Sequence, residues 1–107
     1  MNGKGRESDW KRYRDMIEEL RERYLKEKNR GLVSLLTCPE KTPTEQFWDT
    51  FDRMKKEMKI LQDCLDGHSR SKMFVSMLLM LRHGMLKDED LKGFSEGLQK
   101  QITTARK

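Results

Sequence analysis

One segment leaves this chain little conformational choice. Residues 42–65 read TPTEQFWDTFDRMKKEMKILQDCL. Thr42 stands where a helix N-cap belongs, Pro43 at the first helical position and Glu45 at the third. In that arrangement the side chains of Thr42 and Glu45 each satisfy the other's backbone N–H, and proline costs nothing because its missing donor would have been unpaired anyway. Phe47, Phe51, Met54, Met58, Leu61 and Leu65 follow at spacings of 4, 3, 4, 3 and 4. Such spacing is a heptad seam along one stripe of an α-helix. Trp48 and Cys64 flank the seam and widen it, which suits a helical bundle better than a bare two-stranded coil.

The flanking punctuation extends this to a whole fold. Trp10, Tyr13, Met16, Ile17, Leu20, Tyr24 and Leu25 recur at helical spacing, with Ser8 or Asp9 as the expected N-cap. The polar leader before them, residues 1–7, is expected to be flexible. Gly31 either ends this first helix or lies inside it; the expectation is continuation through LVSLL to Leu36, until Pro39 and Pro43 oppose helix. The short connection Thr37–Thr42 then folds the two long helices into an αα-hairpin. Gly67 is placed to end the second helix, Ser69 or Ser71 to cap a third over Ser71–His83, and Gly84 to end that one. Acids at Asp88, Glu89 and Asp90 mark the start of a fourth helix with the stripe Leu91, Phe94, Leu98 and Ile102, before a tail, TTARK, expected to fray. The fold class expected is therefore all-α: a four-helix bundle-like single domain over residues 8–107, a long αα-hairpin followed by two shorter helices.

The stretch CLDGHSRSKMF, residues 64–74, gathers a thiol, carboxylates and an imidazole, and so invites a metal or nucleophile reading. Structural zinc sites show paired Cys-x2–4-Cys or His-x3–5-His spacings, and neither occurs among Cys38, Cys64, His68 and His83. "DGHS" is accounted for as stop, turn and start. The chain has no Gly-rich phosphate loop, G-x-S-x-G elbow or H-E-x-x-H, and the pair Glu18 and Glu22 lacks the Glu-x-x-His partners of a di-iron bundle. Met54, Met58, Met73, Met77 and Met80 lie on apolar stripes, so they read as packing residues rather than Cu(I) ligands. No catalytic, cofactor-binding or metal-ligating residue is assigned, and no enzyme or small-molecule substrate is expected.

Charge bears on partners. The 107 residues carry a net +5, with 38% charged and 35% hydrophobic, and a mean hydropathy of −0.94. A basic balance raises nucleic acid, and Lys11, Arg12, Arg14, Arg21 and Arg23, continued by Lys26, Lys28 and Arg30, form a candidate phosphate-tracking face. Helices three and four have the outline of a helix-turn-helix, with Lys92, Ser95, Gln99, Lys100 and Gln101 on the second. Against this, its leading end is Asp88-Glu89-Asp90, which phosphates would repel, and acids and bases alternate throughout the chain. The longest apolar run, Met73–Leu81, is nine residues, where a bilayer span needs about 20. With no signal-like segment, the two cysteines read as free thiols and the protein as soluble and cytoplasmic.

A low apolar share combined with two strongly apolar helices points to burial completed by association. The function expected is a small non-enzymatic protein-interaction or assembly module, self-associating, with a homodimer as the leading form. Its interface residues would be Phe47, Phe51, Met54, Met58, Leu61, Leu65, Met73, Phe74 and Met77. The alternative is a nucleic-acid-associated protein using the basic face of helix one.

Overall fold

A computed structural model describes residues 7–106. The expected leader therefore lies outside the described residues, apart from Glu7, which is already helical. The described residues form four α-helices and one 3-10 helix, with no strand among them: α1 (Glu7–Leu36), α2 (Pro43–Leu65), α3 (Met73–Arg82), the 3-10 segment Asp88–Gly93, and α4 (Glu96–Arg106). α1 runs unbroken across Gly31. Ser8 and Asp9 lie inside α1 and do not cap it.

The capping box of α2 is present in full: Glu45 N–H donates to Thr42 Oγ1 at 3.1 Å, and Thr42 N–H donates to the Glu45 carboxylate at 2.9 Å. Gly67 and Gly84 adopt φ of +70° and +76°, the left-handed region where a side chain is strained, so both helix stops stand where glycine is required. α3 starts at Met73, later than Ser71, because the chain first makes a separate turn in which Lys72 N–H donates to Ser69 Oγ.

The fourth helix departs most from expectation. The acids at 88–90 open a 3-10 helix, not an α-helix, with Asp90 accepting the Lys87 N–H at 2.8 Å. The backbone becomes extended at Phe94, and α4 starts afresh behind Ser95, whose hydroxyl accepts the Leu98 N–H. Ser95 is held by a residue far away in sequence: its N–H and its hydroxyl both donate to Asp9, at 2.8 and 2.7 Å. The tail expected to fray is helical through Arg106, whose guanidinium donates to Asp88 at 2.6 Å, and Lys107 lies outside the described residues.

The molecule is all-helical and extended, measuring 58 × 23 × 22 Å. The principal contacts are α1 on α2, α2 on α3 and α3 on α4. This gives a head and an arm. In the head, Tyr13, Ile17, Leu20 and Tyr24 of α1 meet Cys64, three methionines of α3 (Met73, Met77, Met80), Met85, Leu86, Leu91, Phe94 and the α4 pair Leu98 and Ile102. Unbranched methionines adapt to a core in which several short elements meet. Arg23 pins α1 to the 3-10 segment: Nη2 donates to Met85 O at 2.9 Å and to Asp90 at 2.6 Å, and Nη1 donates to Asp90 at 3.3 Å. The arm is the rest of the hairpin, α1 beyond Leu25 and α2 up to Leu61.

Candidate functional site: the open face of the helical arm

The arm is held together by a row of α2 that is not the heptad seam. Thr50, Glu57 and Cys64, seven residues apart, are buried toward α1. Glu57 accepts a 2.5 Å hydrogen bond from the Tyr24 hydroxyl, which holds the two helices together at the foot of the arm. Burial, then that hydrogen bond, push the Tyr24 phenol well above its ordinary range. Because this row faces α1, the neighbouring seam row turns outward. Phe47 is 58% exposed, Trp48 54%, Phe51 44%, Met54 53% and Met58 52%. Flanking residues Trp48 and Cys64 thus fall on opposite sides, one in solvent and one in the core.

The outward row is an ordered surface. Phe47 and Trp48 meet edge to face with centroids 5.1 Å apart, and Trp48 and Phe51 do so at 5.8 Å. The Lys55 ammonium lies 5.5 Å from the Phe51 ring. α1 supplies a parallel row: Leu25, Asn29 and Leu32, continued by the exposed Leu36, with exposed Val33 beside it. Between the rows runs a groove of about 600 Å³, walled by Leu25, Leu32, Phe51, Met54, Met58 and Leu61.

The nine expected interface residues separate. Phe47, Phe51, Met54 and Met58 lie on the open face, and Leu61 is half-buried at its foot. Leu65, Met73 and Met77 do not belong to it: they are 6%, 2% and 0% exposed, because α2 ends inside the head and α3 is sandwiched there. Phe74 is half-buried against the same core. The sequence reading missed the α1 row from Leu25 to Leu36; its 4, 3, 4 spacing was the available signal.

Of the eight basic residues of α1, the first five, Lys11, Arg12, Arg14, Arg21 and Arg23, do not form one free strip. Arg23 is engaged by Asp90 and Met85, the Arg12 guanidinium lies 5.6 Å from the Phe94 ring centroid, and Arg14 lies 3.9 Å from Asp15. Lys11 is exposed and Arg21 half-buried.

In the polar turn after α2, His68 Nδ1 lies 3.3 Å from the Tyr13 hydroxyl, and its Nε2 is buried with no partner among the described residues. Burial, reinforced by Arg21 and partly opposed by Asp66, lowers the imidazole pKa. Burial and Asp63 push the Cys64 thiol up to about 11, away from the thiolate a nucleophile or metal ligand needs. Among the described residues no three His, Cys, Asp or Glu side chains converge as a metal site would require. No described helix is long and apolar enough to cross a membrane. Compared with known proteins, the chain matches no family model, no curated protein and no solved structure.

Proposed function

We propose that this chain is a non-enzymatic protein-interaction module whose docking surface is the open face of the arm. The observation carrying the reading is the outward heptad row, Phe47 to Met58, standing beside a second apolar row with a groove between them. Apolar residues at heptad spacing are what a helix uses to pack on other helices. Half-exposed side chains of this size each have roughly 1 kcal/mol to gain from full burial. The nucleic-acid reading draws less support, since Arg12 and Arg23 are occupied within the molecule.

The test compares the wild type with Phe51→Glu/Met54→Glu, both substitutions at exposed positions. Circular dichroism should show unchanged helicity. The wild type is expected to bind protein, itself or another, in a concentration series and in native extract, and the double variant to lose that binding. A wild type that binds nothing, or binding that survives the two carboxylates, would refute the reading.

A further inference from the structure

Resting on that reading, we infer that the occupant of the open face is a second copy of this chain. Its arm lies antiparallel about a two-fold axis near Asp52 and Arg53, so that two arms close into one four-helix bundle.

Three features of the chain set this arrangement. The first is spacing. The exposed row Phe47, Phe51, Met54, Met58 has intervals 4, 3, 4, which read the same in both directions. Antiparallel helices pair unlike seam positions, so Phe47 meets the partner's Met58 and Phe51 meets the partner's Met54. Each aromatic ring then packs on a flexible thioether, a favourable contact. Phe47 also reaches the foot of the partner's groove, where Met58 and Leu61 are walls. A parallel copy would set Phe47 and Trp48 against themselves at one end and leave thin methionines facing each other at the other.

The second is charge. On α2, residues 43–52 hold Glu45, Asp49 and Asp52 and no base. Residues 53–59 hold Arg53, Lys55, Lys56 and Lys59, and their one acid, Glu57, is turned inward onto Tyr24. Antiparallel packing brings the acidic half of one α2 beside the basic half of its partner's, and the Trp48 ring toward the partner's Lys55. Parallel packing would set lysine against lysine, and flanking charges of this kind decide helix orientation.

The third is length. The axis lies about midway between the arm's tip at Thr42 and its foot at Leu61. Each tip therefore falls beside the partner's foot, and the two heads stand at opposite ends of the bundle without meeting. Both the α1 row and the α2 row are then covered, which satisfies the closed two-fold symmetry usual for homodimers. A hairpin paired with its own copy is a standard route to a four-helix bundle.

The test is disulfide trapping in full-length protein carrying Cys38→Ser, with the buried Cys64 left in place. Phe47→Cys and Met58→Cys are made separately and oxidised alone or as an equimolar mixture. In the antiparallel pair, residue 47 and its own copy are roughly 16 Å apart along the axis, beyond disulfide reach. The expected result is a covalent dimer from the mixture and none from either variant alone. Adding Phe51→Glu/Met54→Glu should abolish it, which separates a specific dimer from random collision. A dimer from Phe47→Cys alone would overturn the antiparallel register. No cross-link in any pairing, with the wild type monomeric, would overturn the second copy as occupant. In either event the interaction reading stands if the wild type still binds a protein through Phe51 and Met54, and falls with it if nothing is bound.

Discussion

Asp9 shows how much of this molecule depends on single side chains meeting across the whole sequence. It is 2% exposed, and a carboxylate is kept there because Ser95 offers two donors to it. Asp9→Ala would leave the half-buried N–H and hydroxyl of Ser95 without an acceptor at the start of α4. The expected loss is about 1–3 kcal/mol, seen as a lower urea midpoint with unchanged m value. An unchanged midpoint would contradict the role assigned to Asp9. His68 gives a pH dependence. Its pKa in the folded state is lowered from 6.5, so below about pH 6.5 the unfolded chain binds more protons than the folded one, and stability falls as pH falls. Asp90 acts with the same sign further into acid. Burial opposes its ionisation, but Arg23 and the Lys87 amide outweigh that and hold the carboxyl below its ordinary range. The stability it contributes is present above that range and is lost as pH falls through its folded pKa. Urea midpoints at pH 7 and pH 5 should therefore differ, and His68→Gln should narrow the difference. An equal drop in wild type and variant would show that His68 is not the group responsible. Neither Asp9 with Ser95 nor Arg23 with Asp90 was legible in the sequence, because hydrogen bonds across 86 and 67 residues leave no periodic trace.

At the scale of the elements, local chemistry read well where it acts locally. Thr42, Pro43 and Glu45 announced α2, and Gly67 and Gly84 marked two stops, because a cap or a positive φ is decided within four residues. The boundary at Phe94 and Ser95 was not legible, since the group that holds Ser95 at the start of α4 is Asp9, 86 residues away. Nor did the seam disclose its direction. Periodicity places Phe47 to Met58 on one stripe, but only the burial of Thr50, Glu57 and Cys64 shows that α1 takes the neighbouring stripe. Gly31 is the element-scale test. It lies inside α1 with open space around the position of an added Cβ, so nothing in the packing requires glycine there. Gly31→Ala is expected to stabilise the protein by about 0.5–1 kcal/mol in thermal or urea unfolding. A destabilised variant would mean that α1 needs a bend at this point.

The whole molecule is unevenly built. The head encloses most of its apolar side chains under α3 and α4, with Val75 left exposed, whereas the arm buries Leu32 and turns Phe47, Trp48, Phe51, Met54 and Met58 toward water. A two-helix arm with so little enclosed surface gains stability from whatever covers it. The most direct test is sedimentation velocity over a wide concentration range, on the wild type and on Phe51→Glu/Met54→Glu. The account predicts that the wild type moves from the 12.8 kDa monomer toward twice that mass as concentration rises, while the variant stays monomeric. A wild type that remains a 12.8 kDa monomer at every concentration would contradict it.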